Sequence, residues 1–202
     1  MASQIEIINI ALGKLGQSNK LPDLNDRSKA RDVFAPLWVP TCDLVLAERT
    51  WPWATRAMPL SMPAEPAQPG WAYRYNYPPD CITAIAVTDA NGLRAARLAG
   101  GLHCFASAEF RAAHWGAGAY DWETSAGEQG TTINTDVREA FLVYVQRIED
   151  TERFPPHFVN ALAARLAAEG APAMIGEVGF NSKDRLMQEY EVALTKAGAH
   201  GF

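Results

Sequence analysis

The residues that could carry chemistry are few and scattered. His103 and Cys104 are neighbours, but adjacency in the chain does not aim an imidazole at a thiol, as a nucleophile and its base require. His114, His157 and His200 stand apart, with no HxxxH or HExxH spacing for a metal. There is no GxSxG nucleophile elbow and no GxxxxGKS/T phosphate loop. Gly13-x-x-Gly16 lies far from any predicted strand, so it is not a dinucleotide fingerprint. Acids are plentiful: Asp43, Glu48, Asp121, Glu123, Glu149, Asp150 and Glu152. A glycoside hydrolase needs two carboxylates at a defined separation, and dispersed acids more often form a solvated face. Glu48 is the acid to test for such an activity. Tyr73, Arg74, Tyr75 and Tyr77 could stack nucleic-acid bases, although the same alternation fits a strand with one buried face. These patterns assign no catalytic residue, cofactor or metal.

The elements that would position these groups follow from composition and periodicity. The chain has 202 residues, 48% hydrophobic and 20% charged, which excludes a disordered chain. Its net charge of −5 argues against a dedicated nucleic-acid binder. Three cysteines without CxxC spacing do not make a disulfide scaffold and fit a reducing compartment. The first residues lack the basic segment of a secretory signal, and no apolar run is long enough to predict a membrane span.

Ser3 and Glu6 form a capping-box pattern, Ile5, Ile8, Leu12 and Leu15 share one helical face, and Gly16 is a stop. A second helix is predicted over residues 30–48, capped by Asn25 or Asp26. Its periodicity survives Pro36 and Pro40, each of which should kink or interrupt it. Trp51 and Trp53 read as buried anchors. Pro59, Pro63, Pro66 and Pro69 mark an extended connector over residues 58–69. Beyond it the spacing predicts strands at Trp71–Tyr77 alternation and at residues 82–87, with Asn91-Gly92 as a hairpin turn. Residues 93–119 fit no single pattern. A hairpin around Gly127 or Gly130 and a strand over residues 141–148 follow.

Phe154-Pro155-Pro156 opens an alanine-rich helix that Gly170, Pro172, Gly176 and Gly179 should break. A last helix is predicted from Asn181 or Ser182. The expected fold is α+β: a helical bundle built from N- and C-terminal helices, with an inserted β-rich subdomain. The limits drawn from composition are residues 1–57 for the first helices, 58–153 for the insert and 154–202 for the last helices and a short tail.

The order of these motifs resembles a family. Ile8-Asn9-Ile10-Ala11-Leu12-Gly13-Lys14-Leu15-Gly16 looks like the first helix of phage head-to-tail adaptors of the tail tubular protein A type, found in short-tailed phages. The second helix, closing on Arg49-Thr50-Trp51-Pro52-Trp53-Ala54, resembles that family's second helix and aromatic stop. Tyr75-Asn76-Tyr77-Pro78-Pro79-Asp80-Cys81-Ile82 is similar to its tyrosine-proline-aspartate entry to a strand. Tyr144-Val145-Gln146-Arg147-Ile148-Glu149-Asp150, then Phe154-Pro155-Pro156-His157-Phe158, is similar to its strand-to-helix junction. Ala161-Leu162-Ala163-Ala164-Arg165-Leu166-Ala167 and the helix bearing Tyr190 complete the order. Pro36, Pro40 and residues 93–119 depart from the pattern.

The resemblance implies a non-enzymatic virion protein in the phage neck, assembled in the host cytoplasm. It implies a homo-oligomeric ring of twelve copies beneath the portal protein. Such a ring supports the tail tube or nozzle and lines the channel through which double-stranded DNA is ejected. The expected subunit and portal contacts are Ala164, Ala168, Tyr190 and Phe202, and the expected tail-side contacts are Trp71, Tyr73 and Tyr75. No membrane or cofactor enters this picture. Two alternatives stay open: a tail-associated peptidoglycan hydrolase and a nucleic-acid-binding module. Disorder of residues 197–202 that folds on docking is a further expectation.

Overall fold

The computed structural model describes residues 2–107, 109, 121–128 and 130–199. Among these residues the fold is α+β. The chain divides into two compact units. One unit joins the residues up to Arg49 with those from Ile148 onward; the other is Thr50–Arg147. The composition-drawn limits at 57/58 and 153/154 therefore move to 49/50 and 147/148. The first moves because the strand at Thr55–Pro59 pairs within the second unit.

The terminal unit holds α1 (Gln4–Lys14) and α2 (Lys29–Ala47), and two further helices from the C-terminal segment. In α1 the Ser3 hydroxyl accepts from the Glu6 N–H, and a Glu6 carboxylate oxygen accepts from the Ser3 N–H at 2.7 Å. The helix ends with Gly16 at φ 72° and with N–H groups of Gly16 and Gln17 donating to Gly13 and Leu12. That left-handed closure satisfies the last carbonyls and favours glycine. Helix α2 starts one turn later than the Asn25/Asp26 prediction. Ser28 is the cap, its hydroxyl accepting from the Arg31 N–H. The helix runs through both prolines without interruption.

The C-terminal helices are assigned after the strands in chain order, so α3 belongs to the other unit: Ala90–Leu98. Helix α4 is Pro156–Ile175, with Pro156 at its first position, where a missing N–H costs nothing. It continues through Gly170 and Pro172, correcting the predicted break, and ends at Gly176, φ 60°. Helix α5, Glu177–Ala199, begins at once rather than at residue 181 or 182.

Helix α4 packs against α1, α2 and α5. Its residues 161–168 are fully buried except Arg165, as expected for a helix apolar on all sides. Two glycines set the spacing. A Cβ on Gly170 would lie 2.6 Å from the Phe34 ring of α2, and one on Gly179 would lie 2.1 Å from the Ala171 carbonyl oxygen. The helices approach too closely at both points for any side chain.

The second unit contains two antiparallel sheets. One is ordered β1 (Thr55–Pro59), β6 (Phe141–Gln146), β3 (Cys81–Thr88); the other β2 (Tyr73–Asn76), β5 (Gly130–Thr135), β4 (Trp122–Gly127). The predicted hairpin is β4–β5, with Gly127 opposite Gly130. Strand β6 is covered on both faces. Leu142 and Tyr144 join Tyr75 and Ile133 of the other sheet in one core, while Val143 meets Leu93, Ala96 and Phe105. A central strand buried on both sides reads as a continuous apolar run, as FLVYV does. Asn91-Gly92 is not a hairpin turn. Asp89 accepts from the Gly92 N–H at 2.8 Å and caps α3, whose Leu93 and Ala96 bury against the first sheet.

Gly170→Ala or Gly179→Ala should cost roughly 1–3 kcal/mol by overpacking. Chemical denaturation should register the loss, with the Gly179 change the larger because it meets rigid backbone.

Candidate functional site

Three polar constellations could carry a site. The first lies in the terminal unit. The Tyr190 hydroxyl donates to Glu48 Oε2 at 2.7 Å, and Glu48 Oε1 lies 3.5 Å from Arg165. Arg165 Nε donates to Glu169 Oε1 at 3.0 Å, Lys183 reaches Glu169 at 3.6 Å, and the guanidinium sits over the Tyr190 ring at 5.3 Å. Burial pushes the Tyr190 phenol well above its ordinary value, and the hydrogen bond to Glu48 adds to it. This network ties α2, α4 and α5 together. It also occupies Glu48, the acid weighed for hydrolysis, with a guanidinium and a phenol.

The second constellation centres on Asp80. Tyr144 donates to Oδ1 at 3.1 Å and Gln146 to Oδ2 at 2.8 Å, with Arg56 at 3.8 Å. The Asp80 carbonyl accepts from the Arg147 N–H. Burial, then the hydrogen bond to Asp80, raises the Tyr144 phenol to about 12. Beside it the Cys81 thiol donates to the Tyr77 hydroxyl at 3.1 Å, and burial pushes that thiol up to about 11. Cys42, buried on α2, is pushed up to about 12 by burial and then Asp43. Neither thiol has the lowered pKa of a nucleophile at neutral pH.

The third is a polar face on the second sheet, under the proline-rich connector. Arg74 pairs with Glu65 at 2.6 Å, donates to Thr132 Oγ1 at 3.1 Å and reaches the Ala126 carbonyl at 3.0 Å. Glu65 also accepts from the Glu128 N–H at 2.8 Å. Asn134 donates to Ser125 Oγ, while its Oδ1 is buried without a partner. Arg74 is thus a fastener for the connector, not a base-stacking cation.

The expected contact residues fall mostly inside the fold. Ala164 and Ala168 are fully buried on α4, and Tyr190 is buried on α5. They hold helices together within one chain and offer no outer surface, which corrects their assignment as subunit or portal contacts. Tyr75 is 1% exposed, its hydroxyl donating to the carbonyls of Val137 and Arg138, so it is core and not a tail-side contact. Tyr73 and Trp71 are half-buried, and the Trp71 ring N–H donates to Glu123. An open stacking platform is therefore missing at Tyr73 and Tyr75. Phe202 and the rest of 200–202, with His114 and His200, lie outside the described residues.

Among the described residues, no cluster of three or more His, Cys, Asp or Glu could hold a metal, and no helix is long and apolar enough to cross a membrane. Two open depressions are present. One of about 480 Å³ is lined by Asp89, Asn91, Asp136 and Arg138 among others, and one of about 550 Å³ by Glu6, Asn9, Ile10 and Lys20 among others. Neither gathers an acid, base and nucleophile.

Sequence reasoning missed the Glu65–Arg74 fastener and the Asp80 hub, whose partners are distant along the chain. The one local signal was Pro78-Pro79-Asp80, read only as a turn. No family model matches the chain, and no curated protein matches it.

Tyr190→Phe removes a hydrogen bond to a charged acceptor and should lower unfolding free energy by about 1.5–3 kcal/mol, measured by denaturant titration. Stability should also fall in alkali. The Tyr144 phenol ionises at ~10 in the unfolded chain and at about 12 when folded. The unfolded state loses this proton first, so the contribution is complete below pH ~10 and disappears as pH rises through the folded value. Tyr144→Phe should remove part of that alkaline fall.

Proposed function

We propose that this chain is a structural head-to-tail adaptor of a short-tailed phage. It forms a ring below the portal, carries the tail tube or nozzle and lines the DNA path. The observation that carries this reading is the ordered motif set, together with where its members sit. Each falls at a junction between elements. Ile8–Gly16 forms α1 and its glycine closure. Arg49 to Ala54 follows α2 directly. Tyr75 to Ile82 joins β2 to β3, and Tyr144 to Phe158 leads from β6 into α4. Junctions fix how elements turn, so a shared series of them supports a shared fold more than any single helix would.

The organisation suits the role. Chain ends that close one helical unit leave a separate β-rich unit between them, giving one body for neighbours and portal and another for the tail. A ring of twelve copies is part of the proposal, made of head-to-tail contacts that close by rotation. A net negative chain suits a DNA conduit, because it does not grip passing phosphates as a basic wall would.

The rivals have less support. The lytic reading needs a free pair of acids, and Glu48 is engaged by Arg165 and Tyr190. The nucleic-acid reading needs exposed rings, and Tyr75 is in the core.

Electron microscopy of the virion neck tests the proposal. Density for this chain between portal and nozzle is the expected result, and its absence there defeats the adaptor role. The purified protein should release no soluble sugar from peptidoglycan. Release that disappears in Glu48→Gln would favour the hydrolase instead.

A further inference from the structure

Helix α2 is apolar on nearly every side. From Val33 to Glu48 it contains no Lys or Arg, and its only acids are Asp43 and Glu48. Phe34, Cys42, Val45 and Leu46 face the core. Pro36, Val39, Pro40, Leu44 and Ala47 form a second, exposed stripe at three- and four-residue spacing. Val39 is 57% exposed and Leu44 38%. A helix apolar all round is normally covered on all sides. The prolines add a polar demand: Pro36 and Pro40 have no N–H for the carbonyls of Asp32 and Pro36 one turn earlier. The stripe is thus apolar, bounded by Asp32 and Glu48, and supplied with backbone acceptors.

Helix α5 carries the complement. On its solvent side Val178, Arg185 and Val192 recur one heptad apart, with Lys196 a turn further. Val178 is 64% exposed and Val192 53%. The acids Glu177, Asp184 and Glu191 keep the same heptad spacing one residue earlier, about 100° round the helix. Charge is therefore sorted into an acidic flank and a flank of valines with cationic donors. Lys183 and Glu189 are outside both, paired with Glu169 and Lys14.

We propose that the α2 stripe of one molecule receives the Val178–Arg185–Val192–Lys196 flank of α5 from a second copy of this chain. Val192 and Val178 cover the apolar stripe, while Arg185 and Lys196 face its acids and proline-freed carbonyls. The two faces differ, so the contact is heterologous and can propagate into a ring. This deepens the adaptor reading and rests on it.

Two exposed substitutions test the pairing. Val39→Lys sets a cation against the α5 flank, and Val192→Asp sets an acid against the α2 stripe. Masses are measured by sedimentation for each protein, at high concentration and with portal protein added. The wild type should assemble far beyond 22.1 kDa. Each variant alone should stay at 22.1 kDa, and an equimolar mixture should regain species of at least twice that mass, because one intact stripe then meets one intact flank. Arg185→Glu, a second flank variant, should raise the concentration for half-assembly at least ~10-fold. Thermal unfolding shows which variants are folded.

Folded variants that assemble like the wild type overturn this interface and leave the adaptor reading standing. Val192→Asp pairing with itself overturns it in favour of a symmetric α2 contact. A wild-type chain that stays at 22.1 kDa even with portal protein overturns both.

Discussion

Close packing around α4 is the constraint on which the terminal unit depends. Residues 161–168 are mostly alanine and almost wholly buried, so little side-chain volume separates this helix from its neighbours. At Gly170 the Phe34 ring fills the space a Cβ would take, and at Gly179 the backbone of α4 does so. Dispersion contacts fall off steeply with distance, so such fits are sensitive to one methyl group. Through them the first 49 residues and the last segment become one body. The β-rich unit then begins and ends as an insertion between those two segments.

Charge is used at the rims of these cores. Arg165 gathers Glu48, Glu169 and the face of Tyr190, three groups from α2, α4 and α5. Asp80 does the same for the start of β3 and the end of β6, through Tyr144, Gln146 and the Arg147 amide. Glu65 and Arg74 secure the proline-rich connector to the second sheet. Half-buried pairs of this kind fix geometry through several hydrogen bonds at once, whereas fully exposed pairs add little. They also account for acids and tyrosines that, seen in sequence, could have suggested catalysis or stacking.

Local signals were read well where the chemistry was local. The capping box of Ser3 and Glu6, the closure at Gly16, the β4–β5 hairpin and the proline start of α4 all involve atoms a few residues apart. The misreadings had competing local and tertiary causes. Asn91-Gly92 suits a hairpin, but Asp89 caps a helix there whose Leu93 and Ala96 find a core. Gly170 and Pro172 have helix-breaking propensities, but neighbours on several sides of α4 outweigh them. Ala164, Ala168, Tyr190 and Tyr75 look like contact residues by type, yet type does not say which body they contact.

By itself the sequence determined the α+β class, the helices at both ends, the β-rich middle and the shortage of groups that could form a reacting centre. Those follow from periodicity, capping and composition, which act over a few residues. The tertiary structure alone decided the limits of the two units, the partners of Glu48, Asp80 and Arg74, and which faces of α2 and α5 remain outward. Such outcomes depend on pairs far apart in the chain, and burial on packing from several directions at once, which no short window of residues encodes.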